Sequence, residues 1–267
     1  MAVLFTQFVY NPIYNLLIFV YNLIPVQDFG IAIILVTIII KLLLIPLSKK
    51  QIESQRKMQE LQPKIKEIQA KYKQDKEKQS RALMEFYREN KANPFSGCLP
   101  LIFQLIFLIA IYRVLFNISS SGLMVDGTGL YFFVENPGQI NHLFLNLIDL
   151  SKIIDFGKFD FPSVVQLFLV VVTAVAQYLQ TKILMAKKQT KKQEEKEKKS
   201  SKEADFSEIL TKQMLYIGPL MTLVIGIKFP AGLTLNWLVS TLFMIAQQYY
   251  LQGKEEKKEA VLPVGTK

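Results

Sequence analysis

Apolar residues in this chain fall into long blocks, with most of the charged residues between them. Five blocks suit spanning helices: 30–47, 97–117, 161–185, 213–229 and 233–251. Each is near the ~20 residues that cross a ~30 Å hydrocarbon core as a helix. The first and fourth are short for the task. Helices are the expected form, because a span must satisfy its own backbone hydrogen bonds. Between the blocks the period changes. In 48–92, Leu61, Ile65, Ile68 and Tyr72 recur at i, i+4, i+7 and i+11, one apolar stripe on a charged helix. Leu83, Phe86 and Tyr87 make a shorter stripe, and the polar KQDKEKQ between the two can turn. This predicts a helical hairpin, its stripes face to face. In 1–29, Asn11, Asn15 and Asn22 draw a polar stripe bracketed by Pro12 and Pro25. Residues 12–24 read as an amphipathic helix on the outer membrane surface, with a true span as the alternative. Segment 118–160 has Gly122, Gly127, Gly129 and Gly138 with apolar patches such as LYFFV that could rest on the bilayer. Segment 186–212 reads as a basic, low-complexity linker and 252–267 as a near-neutral tail.

Composition sharpens this picture. The chain is 51% hydrophobic yet carries a net charge of +10. Such separation of charge from apolar sequence belongs to membrane proteins. Lys and Arg crowd 48–92 and 186–212, whereas 118–160 holds Lys152 and Lys158 against five carboxylates. The positive-inside rule therefore places the two basic segments and the C-terminus in the cytoplasm and the N-terminus outside. Residues 1–24 lack both a basic n-region with a small-residue cleavage site and the Arg/Ser character of an organelle presequence. This favours a bacterial plasma membrane. The single cysteine, Cys98, allows no intramolecular disulfide and reads as a small buried hydrophobe.

Enzyme readings find little support. The one histidine, His142, cannot supply a paired-histidine metal site or a base inside a span. Phosphate-cradling glycine strings are absent. No enzyme activity, cofactor or metal is expected. The tail has too small a basic excess for specific nucleic-acid recognition.

The informative oddity is TIIIKLLLIPL, Thr37–Leu47, in which Lys41 interrupts an apolar run. A mid-span charge costs ~2.5–3.5 kcal/mol on insertion scales. On a straight helix Lys41 lies ~10 Å of rise from Ser48, so its stem could snorkel part of the way to the headgroups. Lys49 and Lys50 already mark that edge, however, and none of the five blocks holds an Asp or Glu to pair with it. Neutral polar residues recur in the spans instead: Thr37, Gln104, Gln177, Gln180, Asn236, Ser240 and Thr241. Each alone suits a helix–helix hydrogen bond. Taken with Lys41, they suggest a wet groove inside the bilayer with one positive charge.

Three strings carry a resemblance: KMQELQPKIKEIQAKY (57–72), NPFSGCLPLIFQLIF (93–107) and FPAGLTLNWLVSTLFMIAQQ (229–248). With the opening stretch, in which a basic residue precedes Pro46-Leu47, they resemble the YidC-type membrane protein insertases in order from residue 30 to 251. The resemblance implies an all-α membrane protein with five core helices around a hydrophilic groove and a cytoplasmic hairpin after the first. It implies newly made membrane proteins as substrates, the lipid bilayer as medium, and the Sec translocon and ribosome as candidate partners. Lys41 falls where the family has a groove arginine, keeping the charge but losing the bidentate fork. Gln104 matches a glutamine of the second core helix. Asn236-Trp237 stands in place of a common aromatic pair, which makes Trp237 a candidate substrate contact. The large periplasmic domain of some members has no counterpart, and the length of 118–160 is unexplained. A small transporter or channel and a passive assembly scaffold remain the alternatives.

Overall fold

The computed structural model describes residues 2–93, 99–157, 160–185 and 204–261. Cys98, the start of the second apolar block, Lys158, most of the 186–212 linker and the last six tail residues lie outside the described residues.

The order of elements is α-helical almost throughout. A short helix α1 (Ala2–Phe5) and a π-helical stretch at Thr6–Tyr10 lead into α2 (Asn11–Leu23). Helices α3 (Phe29–Leu43), α4 (Ile45–Lys71), α5 (Lys76–Glu89) and α6 (Leu99–Ser120) follow. After an irregular segment come α7 (Phe161–Met185), α8 (Ala204–Lys228) and α9 (Ala231–Val261). Among the described residues, Val3–Leu23 and Phe161–Ile183 are long and apolar enough to cross a membrane. The pair Phe29–Leu43 and Ile45–Gln55 counts with them if its two arms form one bent span. The apolar sequence of α9 is interrupted by Thr234, Asn236, Ser240, Thr241, Gln247 and Gln248.

Local chemistry sets the helix ends. Asp28 caps α3: its Oδ1 accepts from the N–H groups of Gly30 (2.7 Å) and Ile31 (3.2 Å). α3 breaks at Leu44, where α4 departs at 69°. Pro46 explains the break, since it has no N–H to give a carbonyl one turn back and disfavours helical geometry in the residue before it. The straight-helix reckoning of Lys41 against Ser48 therefore fails, because the two residues sit on different arms. Asp160 caps α7 by accepting from the Ser163 N–H (3.0 Å) and hydroxyl (2.7 Å). Pro230 separates α8 from α9.

The hairpin is α4 and α5, joined by a turn at 72–75, with Asp75 capping the second arm through the Lys78 N–H at 3.0 Å. The stripe positions are the ones that turn inward: Ile65 is buried, while Leu61, Ile68, Tyr72, Leu83, Phe86 and Tyr87 are half-buried. Gln79 ties the arms by donating to the Gln69 carbonyl at 2.7 Å.

Segment 121–157, unexplained by sequence, is a built structure. Leu143–Phe144 and Ile148–Asp149 pair as a small antiparallel hairpin. Three residues, 145–147, join the strands; the first two, Leu145 and Asn146, have positive φ (50° and 57°) and form a tight turn closed by the Leu147 N–H on the Phe144 carbonyl. A leucine is unusual there, but its N–H donates to Asp28 Oδ2 at 2.7 Å, which helps hold the turn. The asparagine stripe of α2 also serves this segment. Asn15 donates to the Gly129 carbonyl (3.0 Å) and accepts from the Tyr131 N–H (2.6 Å). Asn22 donates to the Glu135 carbonyl and Tyr14 to that of Asp126. The far end meets α9, whose first amides have no helical partner. Ala231 and Gly232 donate to the carbonyls of Lys152 (3.1 Å) and Leu150 (3.0 Å). A Cβ at Gly232 would lie 2.8 Å from the Leu115 side chain and 3.2 Å from the Leu150 carbonyl, so any other residue would have to push both aside. One apolar core results, with Leu17, Ile18, Ile33, Val36, Val114, Leu150 and Leu233 at its centre.

Candidate functional site

Lys41 lies in the last turn of α3, half-buried, and its Nζ donates to Gln104 Oε1 of α6 at 3.3 Å. No carboxylate among the described residues is within ion-pair distance of it. One turn earlier on α3, buried Thr37 faces α9. Its hydroxyl lies 2.8 Å from Asn236 Oδ1 and 2.6 Å from the Ile33 carbonyl. It has one proton to give, so the two acceptors compete for it. Asn236 Nδ2 and Gln104 Nε2 are both buried without a partner among the described residues. Unpaired donors of this kind are costly in an apolar interior, so this seam has spare capacity for polar guests.

α9 supplies the rest of the strip. Ser240 and Thr241 are buried, and the Thr241 hydroxyl donates to the Trp237 carbonyl at 2.9 Å. Trp237 is half-buried. Thr37, Lys41, Gln104 and Asn236 thus meet in two cross-helix contacts, α3 to α6 and α3 to α9. Gln177 and Gln180 have other partners, on α8 and α9 respectively. Gln177 accepts a hydrogen bond from Thr222 of α8, and Gln180 donates to Met244 Sδ at 3.4 Å. Gln177 therefore sits in the α7–α8 seam, apart from the Lys41 cluster.

Three further features complete the picture. Ser48 on α4 and Gln247 on α9 bond reciprocally at 3.1 and 2.7 Å, tying the root of the hairpin to the end of the polar strip. Gln51, Ile52 and Gln248 are buried nearby in the chain, with Gln248 Oε1 unpartnered among the described residues. The signal was readable: Asn236, Ser240 and Gln247 follow i, i+4 and i+11, one helical face carried past the apolar block. Arg113 on α6 is the third. Its guanidinium lies over the rings of Phe5 (5.8 Å) and Tyr10 (5.6 Å), at the end of α6 away from Lys41.

Comparison with known proteins bears on this geometry. Residues 19–258 match the family described as 60Kd inner membrane protein. The chain is 32% identical over 250 residues to a protein of Fusobacterium nucleatum named membrane protein insertase YidC, covering 93% of this chain and 98% of the relative. It is 30% identical over 256 residues to membrane protein insertase MisCA of Bacillus subtilis, covering 94% and 80%. Against YidC of Syntrophobacter fumaroxidans the match is 31% over 226 residues but covers only 34% of that longer protein. A match spanning nearly the whole chain, together with its all-α apolar architecture, places the chain in the 60Kd inner membrane protein family, that of the YidC insertases.

Proposed function

We propose that this chain is a membrane protein insertase of the bacterial plasma membrane, and that its working surface is the polar strip around Lys41. The observation that carries the reading is the pairing of Lys41 with neutral Gln104, with no carboxylate beside it. A buried cation serving only structure would be expected to have an ionic partner. A cation left beside amides and hydroxyls keeps its attraction for a visiting anion.

The mechanism follows from that charge and its surroundings. A newly made membrane segment arrives with a polar, often acidic, tail that lipid resists. Thr37, Gln104, Asn236, Ser240 and Thr241 offer hydrogen bonds in place of bulk water, so the tail travels part of the way solvated. Lys41 attracts its carboxylates more strongly than the same charge would in water. Half-buried Trp237 contacts the passing chain. The apolar part leaves sideways into lipid, driven by hydrophobic burial, and the membrane potential favours outward movement of acidic tails. No nucleotide is consumed. Gln177 fastens α8 to α7. The external segment covers α2 and the outer ends of α3 and α9, while the α4–α5 hairpin stands at the cytoplasmic entry, where substrate, ribosome or the Sec translocon would be met. Helix α2 lies across the outer surface: from Tyr14 to Asn22 it runs under the external segment, contacting it along its length.

Photocrosslinking tests this reading. Benzoylphenylalanine would be placed at Gln104, Thr241 and, as a lipid-facing control, the exposed Val175. A stalled substrate with an acidic tail should crosslink through that tail to 104 and 241. Crosslinks from the tail to 175 alone would defeat the groove reading. Solute flux through reconstituted protein would favour a transporter instead.

A further inference from the structure

The external segment carries a feature that the insertion mechanism leaves unused. In LYFFV, Phe132 is 100% exposed, with exposed Tyr131 and Phe133 on either side. These rings form one knob. Phe132 and Phe133 meet edge to face at 5.3 Å, and Tyr131 lies 5.7 Å from Phe133. The backbone beneath is held firmly. Asn15 accepts from the Tyr131 N–H, Asn22 donates to the Glu135 carbonyl, and Val134 is buried. A ring held in the open by a well-bonded turn is displayed to whatever lies outside.

The neighbouring surface identifies that environment. Phe133 packs edge to face against Phe19 of α2 at 6.5 Å, so the knob continues the exposed side of that helix. Leu4, Phe8, Phe19 and Leu23 are all exposed on the N-terminal helical segment. Residues 1–27 contain no charged side chain. A protein partner in water would ordinarily meet a polar rim around such a patch. Here the patch carries no charged side chain of its own from Phe19 to Leu23; Arg113 lies over Phe5 and Tyr10 nearer the N-terminus, and Asp126 and Glu135 flank the knob in sequence. Aromatic rings at the edge of an uncharged apolar surface suit the zone where acyl chains give way to headgroups.

We infer that Tyr131, Phe132 and Phe133 form an aromatic anchor that inserts into the outer leaflet beside α2. The occupant of this surface is lipid, bound through apolar contact and not through headgroup charge. Because the same segment bonds to Asp28 and to the first turn of α9, the anchor sets the depth at which the outer end of the polar strip rests. The inference relies on the proposed external placement of 118–160, and its test separates the two.

The full chain would carry Phe132→Trp in a Trp237→Phe background, leaving one indole. It would be reconstituted with known orientation in phosphatidylcholine vesicles, with and without bromine at graded acyl depths. Phe132 supports no core packing, so the substitution should fold; matched circular dichroism against the Trp237→Phe parent checks this. The expected result is blue-shifted emission, loss of emission with shallow bromines, and little quenching by acrylamide added outside. Quenching by outside acrylamide with no effect of bromine would overturn the anchor while leaving the topology standing. Protection from both quenchers would overturn it in favour of a second copy or another protein. Quenching by acrylamide only from the lumen corresponding to the cytoplasmic side would overturn the topology itself, and the anchor with it.

Discussion

Lys41 permits the most direct test of the proposed mechanism. Its Nζ reaches Gln104 Oε1 at 3.3 Å and meets no carboxylate among the described residues. A tail carboxylate approaching to ~4 Å would gain ~1 kcal/mol in water and ~4 kcal/mol at an effective dielectric of ~20. A half-buried lysine on a polar strip falls between these limits. At 1.4 kcal/mol per factor of ten, Lys41→Ala should slow insertion of an acidic tail by roughly five-fold to several hundred-fold. Lys41→Arg should keep most of the rate, because it keeps the charge. The assay is protease protection of a single-span substrate in vesicles holding the purified protein. Replacing the acidic residues of the tail by Asn or Gln should erase most of the difference between wild type and Lys41→Ala. Full insertion of the acidic tail by Lys41→Ala would refute the electrostatic reasoning. Lys41 would then be a snorkelling side chain, and groove polarity would have to act without it.

Further expectations concern the scaffold. Asn15→Leu removes bonds to Gly129 and Tyr131 and leaves those backbone groups without that partner; a loss of ~1–3 kcal/mol is expected, seen as faster hydrogen exchange across 126–135. Gly232→Ala forces its Cβ against Leu115 and the Leu150 carbonyl; overpacking of ~1–3 kcal/mol should lower the Tm of the purified protein by several degrees. Ser48→Ala with Gln247→Ala cuts the tie between the hairpin root and α9; a spin-label pair between α4 and α9 should show a broadened distance distribution, and an unchanged one would assign the hairpin's angle to Pro46 alone. The Ser163 hydroxyl and N–H hold Asp160 below its ordinary value of 3.8. For Asp149, burial pushes upward, but Ser151, Lys152 and His142 outweigh it, and the net shift is also downward. Carboxyls lowered by folding stabilise above 3.8, and that contribution is lost as pH falls through their lowered values. Pepsin should therefore cut 142–160 increasingly as the pH falls below that range, and a constant cutting rate would contradict this.

The apolar blocks gave away the helices, and the alternation of basic and acidic connections suggested an orientation, because both signals are local in sequence. The hairpin stripes were readable for the same reason: Leu61, Ile65 and Ile68 repeat at helical spacing on one arm, and Leu83, Phe86 and Tyr87 on the other. The break between α3 and α4 was available in Pro46 but was hidden by the unbroken apolar run around it. The asparagines of α2 were visible as a polar stripe, yet their purpose was not. Asn15 bonds to residues more than a hundred positions away, and no periodicity announces such a partner.

The sequence alone determined which residues could enter a membrane, which could not, and that Lys41 interrupts the first apolar block. That information is carried by transfer free energies, which act residue by residue. Only the tertiary structure decided that Lys41 meets Gln104, that Thr37 meets Asn236, that Gln177 turns to α8, and that 121–157 ties the N-terminal helix to the start of α9. Those pairings depend on the crossing of helices far apart in the chain, where packing and the need to satisfy buried hydrogen-bonding groups choose one arrangement among many that the same pattern permits.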